Sequence, residues 1–109
     1  METKTKTMIL GSYIAAFFAG VFLANAIPHF VQGISGNKFP TPFARPPGQG
    51  LSSAPLNVVW GLLNAIIGTM FFIHGHISAE TTWPWVVFFA GVAAISIPMS
   101  IRFSKKNKE

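Results

Sequence analysis

Long uncharged stretches dominate the pattern of hydrophobic and polar positions in this chain. Residues 7–37, 46–79 and 81–101 contain no Asp, Glu, Lys or Arg. Each stretch holds about 20 mostly apolar residues, enough for a helix to cross ~30 Å of hydrocarbon at ~1.5 Å per residue. The pattern predicts an all-α membrane protein, a single integral membrane domain over residues 1–109. Its three transmembrane helices are expected near residues 8–30, 54–75 and 82–102.

Prolines and hydroxyl residues mark the expected helix ends. Pro28 lies near the end of the first span, where its missing N–H is expected to kink or stop the helix. Ser52–Ser53 and Thr81–Thr82 precede the second and third spans and are typical N-cap residues. Pro98 is expected to bend the last turn of the third helix.

A proline-rich segment, residues 33–53, joins the first two spans. Four prolines within eight residues exclude a helix and favour extended backbone. A flexible linker would consist of Gly, Ser and charged residues, whereas this one interleaves Phe39, Phe43 and Leu51 with its prolines. We expect an ordered loop that docks against the membrane or the bundle, with Phe39, Phe43 and Arg45 as the candidate docking residues.

Charge and cysteine content narrow the functional classes. The chain has eight basic and three acidic residues, and four of the basic ones are Arg102, Lys105, Lys106 and Lys108. A basic cluster directly after a span favours a topology signal that contacts anionic lipid headgroups over a nucleic-acid site. There is no Cys, which excludes disulfides, thiol catalysis and thiolate metal sites.

The first span resembles a cleavable signal peptide in form. Lys4 and Lys6 precede an apolar run, and Ala24-Asn25-Ala26 matches the A-x-A cleavage pattern. Charge counting favours a retained span instead. With the N-terminus outside, six basic residues lie in the cytoplasm and two outside, as the positive-inside rule prefers.

Polar residues share one face on each of the first two spans. They follow i, i+4, i+7 spacing, and the second span adds Gly61 and Gly68 to its face. Because both faces reach the same membrane surface, we expect them to meet. Either they are helix–helix contacts made by Asn and Gly, or they line a small polar pocket in which His29 is the one titratable group. The candidate residues are Asn25, His29, Gln32, Asn57, Trp60 and Asn64.

No catalytic set is evident. The serines have no acidic partner within reach, and no phosphate-binding glycine loop occurs. His74, His76 and Glu80 form an H-x-H-x3-E sequence, but no fourth ligand accompanies them, so they are weak metal candidates. The spans contain no carboxylate or lysine, which argues against an ion-driven pump. No cofactor is expected.

Two segments carry a resemblance to known membrane proteins. Residues 25–30 (NAIPHF) and 39–48 (FPTPFARPPG) resemble a family of short, uncharacterised bacterial integral membrane proteins of the inner membrane. Residues 20–23 leading to His29 and Phe30 resemble DoxX-like membrane proteins, a family with four spans where this chain has three. The first resemblance implies an inner-membrane location and no particular activity.

Three functions are compatible with this pattern. The leading hypothesis is a non-enzymatic protein whose proline-rich loop and polar face bind a partner or a small ligand. The alternatives are an accessory subunit of a membrane enzyme or transporter, and a lipid-headgroup-binding protein that uses His29, Arg45 and the basic tail. Membrane lipids are the expected partners, with a homo-oligomer or a membrane-protein partner left open and no nucleic acid. The expected location is the inner (plasma) membrane, with the N-terminus outside.

The topology can be tested with reporter fusions. A reporter fused after Lys108 should be active in the cytoplasm, because the K/R bias places the basic tail there. A reporter fused between Ala79 and Glu80 should be active only in the periplasm. The opposite pair of activities would invert the membrane sidedness.

Overall fold

The computed structural model describes residues 2–105, which form three helices joined by two loops. The helices are α1 (Glu2–Ile34), α2 (Ala54–His74) and α3 (Trp83–Phe103). Each is long and apolar enough to cross a membrane, by length and composition. No β-strand occurs in residues 2–105, so the prediction of an all-α fold with three spans is confirmed.

Two helix boundaries differ from the expectation. α1 begins at Glu2 instead of near Met8, and it continues through Pro28 to Ile34. α3 also contains a proline, Pro98, and ends at Phe103, one residue from the expected end at 102. A proline removes one backbone hydrogen bond, and in a membrane-spanning helix the neighbouring helices can keep the helix intact around that loss.

The helix starts follow the cap prediction in one case and depart from it in the other. The Ser53 hydroxyl accepts a hydrogen bond from the backbone N–H of Leu56, as an N-cap does. Thr82 occupies the N-cap position of α3, but its side chain makes no capping bond. The Thr81 hydroxyl instead bonds to the backbone of Ser78 in the preceding turn.

Helix α1 is the shared packing partner of the other two. α2 runs antiparallel to α1, and α3 runs parallel to it. The backbones of α2 and α3 each approach α1 but not one another. Their side chains meet through aromatic rings at the end remote from the proline-rich loop, where Phe72 packs edge-on against Trp85 and Phe88.

Glycine residues permit the close backbone approach of α2 and α3 to α1. A Cβ at Gly20 would meet the backbone of Phe88 in α3, and a Cβ at Gly91 would meet the backbone of Phe17 in α1. The α1–α2 contact has the same character, since a Cβ at Gly61 would lie 2.8 Å from the backbone nitrogen of Phe30. Without a hydrophobic driving force between helices in lipid, such close backbone contact is what holds spans together.

The buried face of α2 is the face that the sequence spacing singled out. The buried residues of this helix are Asn57, Gly61, Asn64 and Gly68. All four face the α1 side of the bundle, so the two glycines permit the approach that brings both asparagines into the interface.

The first third of α1 extends beyond the bundle. Gly75, just after α2, packs against Ala16 of α1, so residues 2–11 project past the turn between α2 and α3. Met8, Ile9 and Leu10 are exposed there, by 65, 52 and 60 %. The molecule is 55 Å long as a result, although α2 and α3 each have 21 residues.

Gly91→Ala tests the α1–α3 contact. The added methyl group has to displace the Phe17 backbone, and overpacking of this kind lowers the free energy of unfolding by about 1–3 kcal/mol. Gly11→Ala is the matched control, because nothing lies within 4 Å of a Cβ at that helical glycine. Thermal melts in detergent should show a lower melting temperature for Gly91→Ala alone. Equal melts for both variants would contradict the described packing.

Candidate functional site

The proline-rich loop has an ordered fold of its own. Phe39 and Ser52 form an antiparallel bridge, with N–O distances of 3.2 and 3.0 Å. The Thr41 hydroxyl lies 2.6 Å from the Ser52 hydroxyl and also accepts from the backbone N–H of Phe43. The Thr41 carbonyl accepts from Ala44 and Gly48. These bonds close the loop at its base, as expected for an ordered segment.

Asn57 joins this loop to the helices. Its side chain is fully buried. Its amide Nδ2 donates to the backbone carbonyls of Phe39 at 2.9 Å and Ser53 at 3.0 Å, with Ser52 more distant at 3.3 Å. Its Oδ1 lies 2.9 Å from Nδ1 of His29 in α1. The Asn57 side chain thus connects α1, α2 and the two loop segments that pair at Phe39 and Ser52.

The surroundings of Asn57 determine the tautomer of His29. Three carbonyl oxygens surround one end of the Asn57 amide, so the NH₂ group must lie there and Oδ1 must face the histidine. Nδ1 of His29 therefore carries the hydrogen and donates it to Asn57. Nε2 of the neutral ring is then an acceptor, able to bind a hydroxyl or a water.

Aromatic rings pack around His29 and tie the loop to α3. The His29 ring meets Phe39 edge-on at a centroid distance of 5.4 Å and Phe103 at 6.2 Å. Phe39 and Phe103 meet at 4.8 Å. Phe39 is 6 % exposed, so burial of this ring supplements the hydrogen bonds of Asn57.

A cavity of about 340 Å³ lies next to this cluster, between the three helices and the loop. The end of α1, the start of α2, the end of α3 and the loop all contribute to its wall. This volume is at the lower end of the ~300–1,000 Å³ usual for small-molecule sites. The lining residues are Asn25, His29, Pro40, Thr41, Pro42, Pro47, Gly48, Trp60, Ile95, Pro98, Met99, Arg102 and Phe103.

One residue of the cavity wall carries an unsatisfied donor. Trp60 lines the cavity, and among the buried side-chain nitrogen and oxygen atoms of residues 2–105 its indole Nε1–H is the one without a hydrogen-bond partner. The Trp60 ring is held edge-on by Phe43 at 5.1 Å and by His29 at 6.4 Å. A buried donor of this kind costs about 1–3 kcal/mol when it stays unpaired, so an acceptor that reached it would relieve a real penalty.

Arg102 lies at the edge of the cavity. Its guanidinium packs on Gly48 so closely that a Cβ at this glycine would lie 2.6 Å from Nε. One of its Nη atoms donates to the Pro47 carbonyl at 3.3 Å. The side chain is exposed, so the charge lies at the entrance and its other N–H groups can bind a further acceptor.

The predicted polar face divides into two parts. Asn25 donates to Asn64 across the α1–α2 interface at 3.0 Å, and Asn64 donates to the Trp60 carbonyl of its own helix. Asn64 is 2 % exposed. This pair, like Asn57, lies in a helix contact, whereas Asn25, His29 and Trp60 also line the cavity. Both interpretations of the face therefore describe part of it.

Other predicted residues lie apart from the cavity. Gln32 accepts from the Asn37 side chain in an exposed position. Phe43 is 61 % exposed and covers one edge of Trp60, and Arg45 is exposed. Phe39 is thus the aromatic residue of the loop that docks into the bundle.

The metal candidates do not form a site in the structure. His74 ends α2, and His76 and Glu80 are exposed in the following turn. Within residues 2–105, no group of three His, Asp or Glu side chains could hold a metal ion. Lys106 and Lys108 of the predicted basic tail lie outside the described residues.

The contribution of α3 was missed by sequence reasoning. Ile95, Met99 and Arg102 line the cavity, and their i, i+4, i+7 spacing is a helical stripe visible in the sequence. Nothing in an apolar span distinguishes this stripe from a lipid-facing one before the packing against α1 is known. Ser52 was recognised as a cap, and its bond to Thr41 was not.

Comparison with known proteins adds no further assignment. No protein-family model, curated protein or solved structure matches this chain.

Asn57→Leu should release the loop. The substitution leaves the His29 N–H buried without a partner, which costs about 1–3 kcal/mol, and it removes the bonds from Asn57 to the carbonyls of Phe39 and Ser53. Trypsin added to the detergent-solubilised protein should then cleave faster after Lys38, which is exposed. Asn37→Leu is the matched control, because Asn37 is exposed and both its side chain and its backbone N–H bond to Gln32. Unchanged cleavage of Asn57→Leu would contradict the proposed anchoring role of Asn57.

Proposed function

We propose that this protein is a non-enzymatic membrane protein that binds a small ligand in the cavity between its three helices and the proline-rich loop. The carrying observation is the unpartnered indole N–H of Trp60, a residue that lines this cavity. Buried polar groups in proteins are nearly always paired. A site that holds such a donor is completed by a molecule that supplies an acceptor.

The remaining chemistry of the wall supports binding over catalysis. The ionisable side chains that line the cavity are His29 and Arg102. His29 is fixed by Asn57, and no serine, carboxylate or lysine is among the lining residues. The wall does carry the hydroxyl of Thr41, which bonds to the Ser52 hydroxyl and accepts from the Phe43 N–H. Within residues 2–105 no hydrogen bond joins this hydroxyl to His29, as a nucleophile and its base would require.

The wall suits an amphipathic ligand. Ile95, Met99 and Phe103 present apolar surface, and Trp60 presents a donor on the opposite helix. Few polar groups in a mainly apolar cavity are the usual composition of a small-molecule site. Orientation comes from the polar groups and affinity from the apolar ones.

The proposed setting is the bacterial inner membrane. The resemblance of residues 25–30 and 39–48 to short inner-membrane proteins supports this location, and the basic residues near the loop support a cytoplasmic side for the cavity. The N-terminus then lies outside and the ligand is reached from the cytoplasmic leaflet.

A cavity-filling variant tests the proposal. Ile95→Trp places a large ring in the cavity and should abolish retention of small molecules by the protein purified gently from membranes. Ile97→Trp is the matched control on α3, because Ile97 is 62 % exposed and does not line the cavity. Organic extracts of both variants are compared with those of the parent by mass spectrometry. Recovery of the same molecules from Ile95→Trp and from the parent would overturn the proposal.

A further inference from the structure

We infer that the ligand is an anionic phospholipid, whose phosphate lies at Arg102 and whose ester carbonyl accepts from the Trp60 indole N–H. This inference rests on the proposed function and names the chemical class of its ligand. It is carried by the charge distribution of the described chain, by the polar and apolar groups that line the cavity, and by the gap between α2 and α3.

Positive charge is concentrated at the end of the bundle that holds the cavity. Lys38, Arg45, Arg102 and Lys105 all lie in the loop or at the end of α3. The acidic residues within 2–105 are Glu2 and Glu80. Glu2 begins α1 and Glu80 lies between α2 and α3, so both are at the remote end. The potential at the cavity therefore favours an anion over a cation or a zwitterion.

The groups that line the cavity match the groups of a phospholipid. Arg102 is one residue from the end of α3, at the entrance of the cavity. Trp60 lies on the opposite helix near the same end, because its ring is 6.4 Å from the His29 ring, which in turn is 6.2 Å from that of Phe103. Ile95 is about 10 Å deeper than Arg102 on α3 at ~1.5 Å per residue. A charge at the entrance, a neutral donor near it and an apolar wall below thus offer contacts for the phosphate, the ester and the acyl chain.

The helix arrangement provides a path for the acyl chains. α2 and α3 pack on α1 without a close backbone approach to one another. Their aromatic contacts through Phe72 lie at the remote end. The side of the cavity opposite α1 therefore lies between two separated helices. A molecule larger than about 340 Å³ fits there if its headgroup occupies the cavity and its chains continue between α2 and α3 into the bilayer.

The experiment compares three amphiphiles on the delipidated full chain. Dioctanoyl phosphatidylglycerol, dioctanoyl phosphatidylcholine and a short-chain ubiquinone are titrated in detergent, and bound species are counted by native mass spectrometry. Phosphatidylglycerol should bind about tenfold more tightly than phosphatidylcholine, because both lipids offer a phosphate to Arg102 but the choline cation is repelled by the basic residues at this end. Trp60→Phe should weaken both phospholipids, because it removes the donor that their common ester would reach.

Two arginine variants separate the site from general surface charge. Arg102→Gln should remove the preference for phosphatidylglycerol, and Arg102→Lys should keep most of it because the charge stays. Arg45→Gln is the matched control. It also removes one positive charge from this end of the bundle, but Arg45 does not line the cavity. An equal loss of preference in Arg45→Gln and Arg102→Gln would overturn the site.

The remaining outcomes distinguish the inference from the function on which it rests. Tighter binding of the ubiquinone than of phosphatidylglycerol, lost in Trp60→Phe, would keep the cavity as a ligand site and overturn the anionic phospholipid. Equal binding of the two phospholipids would likewise keep the cavity as a ligand site and overturn the preference for an anionic lipid. If none of the three amphiphiles binds and the parent retains no small molecule, both the inference and the proposed function fail.

Discussion

The structure of the loop end depends on the hydrogen bonds of one buried amide. Asn57 is fully buried in a helix that contains no Asp, Glu, Lys or Arg, and an unpaired amide there would cost several kcal/mol. It is paired at both ends, with His29 on one side and the carbonyls of Phe39 and Ser53 on the other. The position of the loop, the tautomer of His29 and the wall of the cavity all follow from this arrangement.

Magnitudes separate Asn57 from the second asparagine of α2. The Asn25–Asn64 bond is a single contact between two helices, and such bonds in membranes contribute about 0.6 kcal/mol on average. Loss of the Asn57 side chain would leave the His29 N–H unpaired at about 1–3 kcal/mol and would also remove the bonds to the carbonyls of Phe39 and Ser53. Two residues on one helical face thus differ in consequence because they differ in the number of partners that depend on them.

Helix α1 explains why a cavity exists at all. Its glycine contacts bring α2 and α3 onto neighbouring parts of one surface, and neither of those helices closes onto the other by its backbone. The loop covers the end of the resulting gap and the rings of Phe39 and Phe103 fill part of it. What remains is the space lined by Trp60, whose donor is left without a partner.

The sequence by itself determined the helical class, the approximate spans and the order of the loop. Uncharged stretches of about 20 residues permit little else than helices, and interleaved Pro and Phe indicate a stiff loop with apolar surface to bury. The i, i+4, i+7 spacing also placed Asn57 and Asn64 on the face that is buried. These properties are local, so they can be recognised from neighbouring residues.

Only the tertiary structure decided how far each helix extends and which polar residues line a cavity. Pro28 lies inside α1 because helix continuity there depends on packing as well as on the missing N–H. Phe39 is buried and Phe43 exposed, although each is next to a proline in the same loop. The part played by α3 follows from its contact with α1, which the spacing of residues within one span does not encode. Local pattern fixes which faces are polar, and the packing of separate segments fixes what those faces meet.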